Sequence, residues 1–385
     1  MLIIHVGVTN FPSVPSPLGG AIQRRIWELA RTQTLSGDEV AIISIGEAKG
    51  TRTIDGVLIV YLRCLMAGPL RHLEFLGRAA LAIRRISYGR RRVVVHFHSQ
   101  PEGALICAAL RRPAVLSYDF FRFRRGRKGP IGAIIRYCLL RFDQLLPCSE
   151  YCRKESSDYW DLPAGRVSVL YNGVNTDQFR PLGLGRAAEL SAIAPGHCIA
   201  LYVGRIARQK GSEILIAAAE HLATLGVQAA VVAAGPISQF DAKGDDGDWI
   251  GRLRRAGITY LGAIREDRLA AIYSSADIFV MPTIELEMFG MAALEALACG
   301  VPVIATDHGG LPEVITPNCG VLVPARDAAA LASAIERLVL DPRERARLAG
   351  GAASRARAFS WHEIARRARF RYAAVLQESA GAGSE

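Results

Sequence analysis

Short apolar, β-branched runs recur along this chain, each separated from the next by a longer amphipathic stretch. Few architectures accommodate that rhythm. In the first half the runs are LIIHVGV (2–8), EVAIISI (39–45), RVVVHFH (92–98), AVLSYD (114–119), QLLPCS (144–149) and RVSVLYN (166–172). In the second they are CIALYVG (198–204), QAAVVAAG (228–235), ITYLG (258–262), IFVMP (278–282) and PVIATD (302–307). Continuous apolar strands alternating with helices make a parallel sheet buried on both faces. Two such series predict an α/β chain of two doubly wound domains, which suits 385 residues. The stretch 175–195 carries Pro181, Gly183, Gly185 and Pro195 and no strand pattern, so the domains are expected over 1–178 and 179–360. The tail SWHEIARRARFRYAAVLQ (360–377) has the apolar spacing of an amphipathic helix.

No apolar run reaches the ~18 to 20 residues of a membrane span. The start, MLIIHVGVTNFP, has no basic n-region and reads as a first strand, not as a secretory signal. Eight cysteines are scattered without a CxxC pair, which fits neither a zinc site nor a disulfide framework and suits reduced thiols in the cytosol. The net charge of +11 is unevenly spread: residues 1–180 hold 26 Lys+Arg against 14 Asp+Glu, whereas 181–385 hold 21 against 22. One half is thus expected to face an anionic partner. No nucleic-acid reading motif accompanies the charge, so nucleic acid is not expected as that partner. The segment FFRFRRGRK (120–128) interleaves phenylalanines with cations. It suits an anionic membrane surface, an anionic soluble acceptor, or a solubilising loop.

Four motifs carry chemistry. Gly19-Gly20 ends a Pro/Ser loop and opens a helix, where backbone can approach a phosphate; an ordinary turn would look the same. His96 and His98 share one face of a period-two strand. His98, nearer the carboxyl end, is better placed to meet a ligand, and His96 reads as a core or supporting histidine. They could also be two metal ligands, but no third stands nearby in sequence. In GRIARQKG (204–211) a strand ends at Gly204 and a helix follows Gly211, so Arg205 and Lys210 can converge on a diphosphate from one turn; a solvated basic turn is the alternative. Last, PTIELEMFGMAALEALACGVPVIATDHGG (282–310) places Glu287 just before a helix N-terminus and Glu295 eight residues on. Their carboxylates would lie on the order of 10 Å apart, too far for the ~5 Å pair of a retaining hydrolase. Glu287 can cap the helix or hold sugar hydroxyls. Glu295, among Ala and Leu, is expected to be buried and partnered.

Taken in order, Gly19-Gly20, the strand ending in His98, YNGV (171–174), GRIARQKG and Glu287-x7-Glu295 with CGVPVIATDHGGLPEVI resemble retaining GT-B glycosyltransferases of family 4. The resemblance runs over nearly the whole chain. It implies two Rossmann-like domains facing a cleft, with helix 361–377 crossing back to the first. The first domain would bind a glycan, glycolipid or lipid-linked acceptor, the second a nucleoside-diphosphate sugar, most readily a UDP-sugar. Arg205 and Lys210 would hold the diphosphate and Glu287 the sugar hydroxyls, with Gly204 and the N–H groups of Phe289, Gly290 and Met291 beside them. Glu295 would take the ribose, and Ile264 would lie beside the base. Gly19 and Gly20 would close on the phosphates, and His98 would contact the donor sugar. The resemblance also implies retention of configuration, no cofactor and no metal, in a bacterial enzyme of the cytoplasm or inner membrane face. A sugar-nucleotide epimerase or a non-catalytic binding subunit on the same fold are the alternatives. Two departures stand out: Ala233-Ala234-Gly235-Pro236 replaces a GDGP-like turn, and Met288 stands where a small residue is common.

Overall fold

The computed structural model describes residues 1–7, 21–47, 49–119, 129–183, 186–191, 193, 196–237, 248–285 and 287–381. The chain divides into two compact units, Met1–Gly173 with Trp361–Glu385, and Val174–Ser360. The passage between them lies before the 175–195 stretch where the sequence places the break. The reason is packing: the Val174 N–H donates to the Phe359 carbonyl, Phe179 meets Tyr273 edge-on, and Arg186 pairs with Asp277. All of these belong to the second unit.

Unit 1 runs β1 (Leu2–Val6), α1 (Ala21–Leu35), β2 (Glu39–Ile45), β3 (Gly50–Ile54), β4 (Val57–Leu62), α2 (Gly68–Ile86), β5 (Val93–His98), α3 (Gly103–Leu110), β6 (Ala114–Tyr118), α4 (Pro130–Leu139), β7 (Gln144–Pro147) and α5 (Glu150–Trp160). The sheet order is β3-β4-β2-β1-β5-β6-β7, parallel except for the β3–β4 hairpin. That hairpin is absent from the sequence reading. Conversely, 166–172 is not a strand; it runs beside β7 with one bridge, Leu145 to Val167, and the Ser168 and Leu170 N–H groups donate to the Leu145 and Pro147 carbonyls, each at 2.9 Å.

Period-two alternation sorts the helices of unit 1. His96 of β5 faces Tyr372, and Ile3, Val94 and Leu146 build one core with Ile364, Ala368 and Val375 of the last helix. Phe97 points to the other side, where a Cβ on Gly103 would sit 2.3 Å from its ring, so α3 lies close against the sheet there. There α3 packs against both α2 and α4.

Unit 2 runs α6 (Ala188–Ser191), β8 (Cys198–Val203), α7 (Ser212–Thr224), β9 (Ala229–Ala234), α8 (Trp249–Arg255), β10 (Thr259–Tyr260), α9 (Glu266–Ser274), β11 (Ile278–Met281), α10 (Met291–Ala298), β12 (Val303–Thr306), α11 (Leu311–Val314), β13 (Gly320–Val323), α12 (Ala328–Leu340) and α13 (Pro342–Arg357). Helix α14 (Trp361–Gly381) then returns to unit 1. The unit 2 sheet is parallel throughout, in the order β10-β9-β8-β11-β12-β13. Side-chain caps fix several helix starts: Asp327 accepts from the Ala330 N–H, and Asp341 from those of Arg343 and Glu344.

Candidate functional site

In unit 2 the strand order reverses between β8 and β11, and ligand crevices of doubly wound sheets form at such switch points. The loops leaving these two strands are joined. The Ile284 and Glu285 N–H groups donate to the Gln209 carbonyl at 3.2 and 3.3 Å, and Thr283 Oγ1 donates to the same oxygen. Gly211 permits the contact. Its φ is +78°, and a Cβ there would lie 1.7 Å from the Pro282 carbonyl oxygen. Gly211→Ala is therefore expected to cost ~2 kcal/mol or more, read as a lower melting temperature. An unchanged melt would remove this account of the loop.

Across the joined loops Lys210 Nζ donates to Glu287 Oε2 at 2.6 Å, with both side chains mostly buried. Glu287 thus pairs with a cation; helix α10 has Gly290 at its N-cap and no side-chain cap. The Glu287 backbone is seated on Gly309-Gly310. The Gly310 N–H donates to the Glu287 carbonyl at 2.8 Å, and a Cβ on Gly309 would come within 2.2 Å of that oxygen. Gly290, at φ +96°, leaves room for Leu311, whose methyl would be 2.5 Å from a Cβ. Arg205 is exposed, has no ion pair among the described residues, and accepts the Tyr202 hydroxyl on its carbonyl at 2.7 Å. Burial, with Glu287 nearby, pushes the Tyr202 phenol up, so it remains a neutral donor.

Glu295 is 5% exposed and accepts from the Tyr273 hydroxyl at 3.0 Å. Ile264 is half-buried just past β10, beside the Gly262 turn. That turn bonds Gly235, whose φ is +134° and whose Cβ would strike the Gly204 carbonyl at 2.0 Å. The Gly204, Gly235 and Gly262 turns thus form one rim. Phe289 is buried and Met291 half-buried around Gly290. The structure gathers Gly204, Arg205, Lys210, Glu287, Phe289, Gly290 and Met291 at the ends of β8 and β11, with Glu295 deeper along α10. Sequence reading passes over the supporting residues Tyr202 and Tyr273, and meets Gly235 and Gly309-Gly310 only inside longer motifs, without the backbone role the structure gives them. A glycine closing an apolar run is the signal the sequence offers for Gly235.

In unit 1, His98 ends β5 and is 1% exposed. It belongs to a buried trio, because the β1–β5 register sets His5 beside His96. Gln33 Oε1 can only accept, so His5 Nε2 donates to it at 2.8 Å. In a neutral ring His5 Nδ1 then accepts, and His98 Nε2 donates to it at 3.0 Å. His98 Nδ1 is left as a lone-pair acceptor without a partner among the described residues. His96 is satisfied at both nitrogens, by the Tyr372 hydroxyl and Ser117 Oγ, each at 2.7 Å. Burial pushes all three imidazoles below their ordinary range, His5 to about 4. The three ring nitrogens lie within 4.8 Å of one another, a spacing a metal ion could use. His5 and His96 would have to break hydrogen bonds to ligate it. His98 also lines a cavity of about 20 Å³ with Arg25, Ser117, Tyr118, Asp119 and Asn172. Arg25 Nε and Asn172 Oδ1 are likewise buried without partners among the described residues. The volume suits one water or one hydroxyl group. Gly19, Gly20 and the segment 120–128 lie outside the described residues.

Two family models match the chain, one described as glycosyl transferases group 1 over residues 189–355, the other as glycosyltransferase family 4 over 19–178. A relative in Frankia alni, named D-inositol 3-phosphate glycosyltransferase, is 30% identical over 71% of this chain and 72% of its own length. Other curated relatives of that name, including one 35% identical, are spanned over only about half their length. Among solved structures, sucrose-phosphate synthase from Thermosynechococcus elongatus superposes with a TM-score of 0.78 at 24% identity, covering 98% of this chain and 100% of that one. The Anabaena protein HepE, solved with UDP and glucose, gives 0.72 at 16% identity, covering 96% and 99%. At such identities these likenesses establish the fold, two Rossmann-like units of the GT-B type.

Proposed function

Because this chain belongs to the glycosyl transferases group 1 family, we propose that it moves a sugar from a nucleoside diphosphate to an acceptor, with retention and without a metal. The observation that carries this is the Lys210–Glu287 pair at the β8–β11 switch point, beside exposed Arg205. Arg205 and Lys210 bind the donor diphosphate and neutralise the charge that grows on it as the glycosidic bond breaks, the main electrostatic task. Glu287 holds Lys210 in place and accepts from sugar hydroxyls, with the N–H groups of Phe289, Gly290 and Met291 on sugar and phosphate. Glu295 takes the ribose hydroxyls, and Ile264 lies beside the base. His98 offers its Nδ1 lone pair to a hydroxyl near the reacting carbon, and Gly19 and Gly20 let backbone close on the phosphates. The leaving phosphate accepts the acceptor's proton on the face it departs from, which preserves configuration.

UDP is the proposed nucleotide, supported by HepE having been solved with UDP and glucose. The acceptor is a glycan, glycolipid or lipid-linked sugar. An anionic one is favoured by the basic first half and by the inositol 3-phosphate in the relatives' name. The enzyme works in the cytoplasm or at the inner membrane face, with 120–128 as a peripheral contact. No helix among the described residues is long and apolar enough to cross a membrane. A thermal-shift screen with UDP, GDP, ADP and CMP, without metal, tests the donor reading. A nucleotide at a hundred times its dissociation constant stabilises by ~2.7 kcal/mol, and the shift is expected for UDP and lost in Glu295→Ala. A shift only with added manganese would contradict the metal-free reading. No shift with any nucleotide would favour a non-donor role for the fold.

A further inference from the structure

The outer face of the α2–α3–α4 layer of unit 1 is unusually apolar for a surface. Helix α2 buries Phe75, Leu76, Ala79 and Ile83. It also carries a second stripe, Leu70, Leu73, Gly77 and Leu81, spaced as one helix face and exposed to solvent, with Leu73 at 63% and Leu81 at 69%. Helix α4 repeats the pattern with Ile131, Ile134 and Tyr137, of which Ile131 is 69% exposed. Leu105 of α3 is exposed between them.

The loop ahead of α2 points the same way chemically. Leu65 and Met66 are exposed, and their backbone N–H groups both donate to the Glu74 carboxylate, at 2.8 and 2.9 Å. Glu74 also accepts from Arg78. The loop is therefore pinned with two apolar tips in water. Soluble proteins rarely leave so much contiguous apolar surface without a use.

The charge around the face selects the occupant. Between 61 and 141, leaving out 120–128, twelve arginines stand against Glu74, Glu102 and Asp119. Arg71, Arg84, Arg85, Arg91, Arg92 and Arg111 make no ion pair among the described residues. Apolar side chains set among unpaired guanidinium groups suit a bilayer with anionic headgroups: the former enter the interface, the latter meet phosphate. We propose that the α2–α4 face, with the Leu65-Met66 loop, is where this protein lies on an anionic membrane. This deepens the membrane contact proposed above by naming described residues that would make it; it does not depend on the donor chemistry.

The test is co-sedimentation of the full chain with phosphatidylcholine vesicles, with and without phosphatidylglycerol, at low and high salt. The unaltered protein is expected to bind only the anionic vesicles and to be released by salt. Leu73→Glu/Leu81→Glu and Ile131→Glu/Ile134→Glu should each lower partitioning at least about tenfold, with melting temperature and UDP response unchanged. Binding by both double variants at the level of the unaltered chain overturns the proposal. If only Phe120→Ser/Phe121→Ser/Phe123→Ser loses binding, the contact is through 120–128 and the α2–α4 face is not the docking surface. If gel filtration shows self-association that the variants abolish, with no vesicle binding by any form, the face is covered by a second copy and the proposal fails.

Discussion

Replacing Lys210 with alanine is expected to slow sugar transfer by roughly 10²- to 10³-fold with little change in melting temperature. The loop carrying Lys210 is held through main chain, by the bonds to the Gln209 carbonyl and by Gly211 against Pro282, so the fold does not need the ammonium group. What is lost is a positive charge already oriented by Glu287 at 2.6 Å. If that charge acts mainly as the diphosphate departs, the loss falls on kcat more than on KM. Lys210→Arg should recover only part of the rate, because a forked guanidinium cannot occupy the same point against Glu287. Single-turnover rates with a labelled UDP-sugar decide the matter. Turnover by the alanine variant close to that of the unaltered chain would remove Lys210 from the proposed mechanism.

Acid is expected to destabilise unit 1 selectively. His5, His96 and His98 are fully buried and their folded-state pKa values are depressed, His5 to about 4 from an unfolded value of 6.5. Their contribution to stability is therefore complete above about pH 6.5. It is lost as pH falls towards 4, because the unfolded chain takes up protons that the folded one refuses. For His5 alone the shift corresponds to roughly 3 kcal/mol. Among the described residues unit 2 has no fully buried histidine. Calorimetry between pH 7 and pH 4.5 should show one transition moving steeply downward and one moving much less. His5→Asn should flatten the steep one, even with lower stability at pH 7. Two transitions that fall together would contradict this assignment.

Much of this architecture can be read from the sequence because parallel strands buried on both faces announce themselves as unbroken apolar runs. The failures have physical causes. GTRTI of β3 looks like a polar loop because it is an edge strand with exposed side chains. β13 is four residues long and starts at a glycine. RVSVL alternates like a strand, yet its segment runs extended beside β7 with a single bridge. In the site, Lys210 and Glu287 each stand out within their own loops. Their pairing does not, since it joins residues 77 apart in the chain through a strand order that local pattern does not encode. His5 was invisible for the same reason: only the β1–β5 register brings it to His98.

The return of α14 to unit 1 sets an order of assembly. Unit 2 is one uninterrupted segment, whereas unit 1 needs residues on both sides of it. Trp361, Ile364, Tyr372 and Val375 lie in the same core as Ile3 and Leu29, and Tyr372 holds His96. A chain emerging from the ribosome can complete unit 2 while the sheet of unit 1 still lacks part of one covering layer. That sheet waits, with its apolar face exposed, until some 190 further residues have been made. Among partly synthesised chains, the first unit in sequence is thus the last to become resistant to proteases.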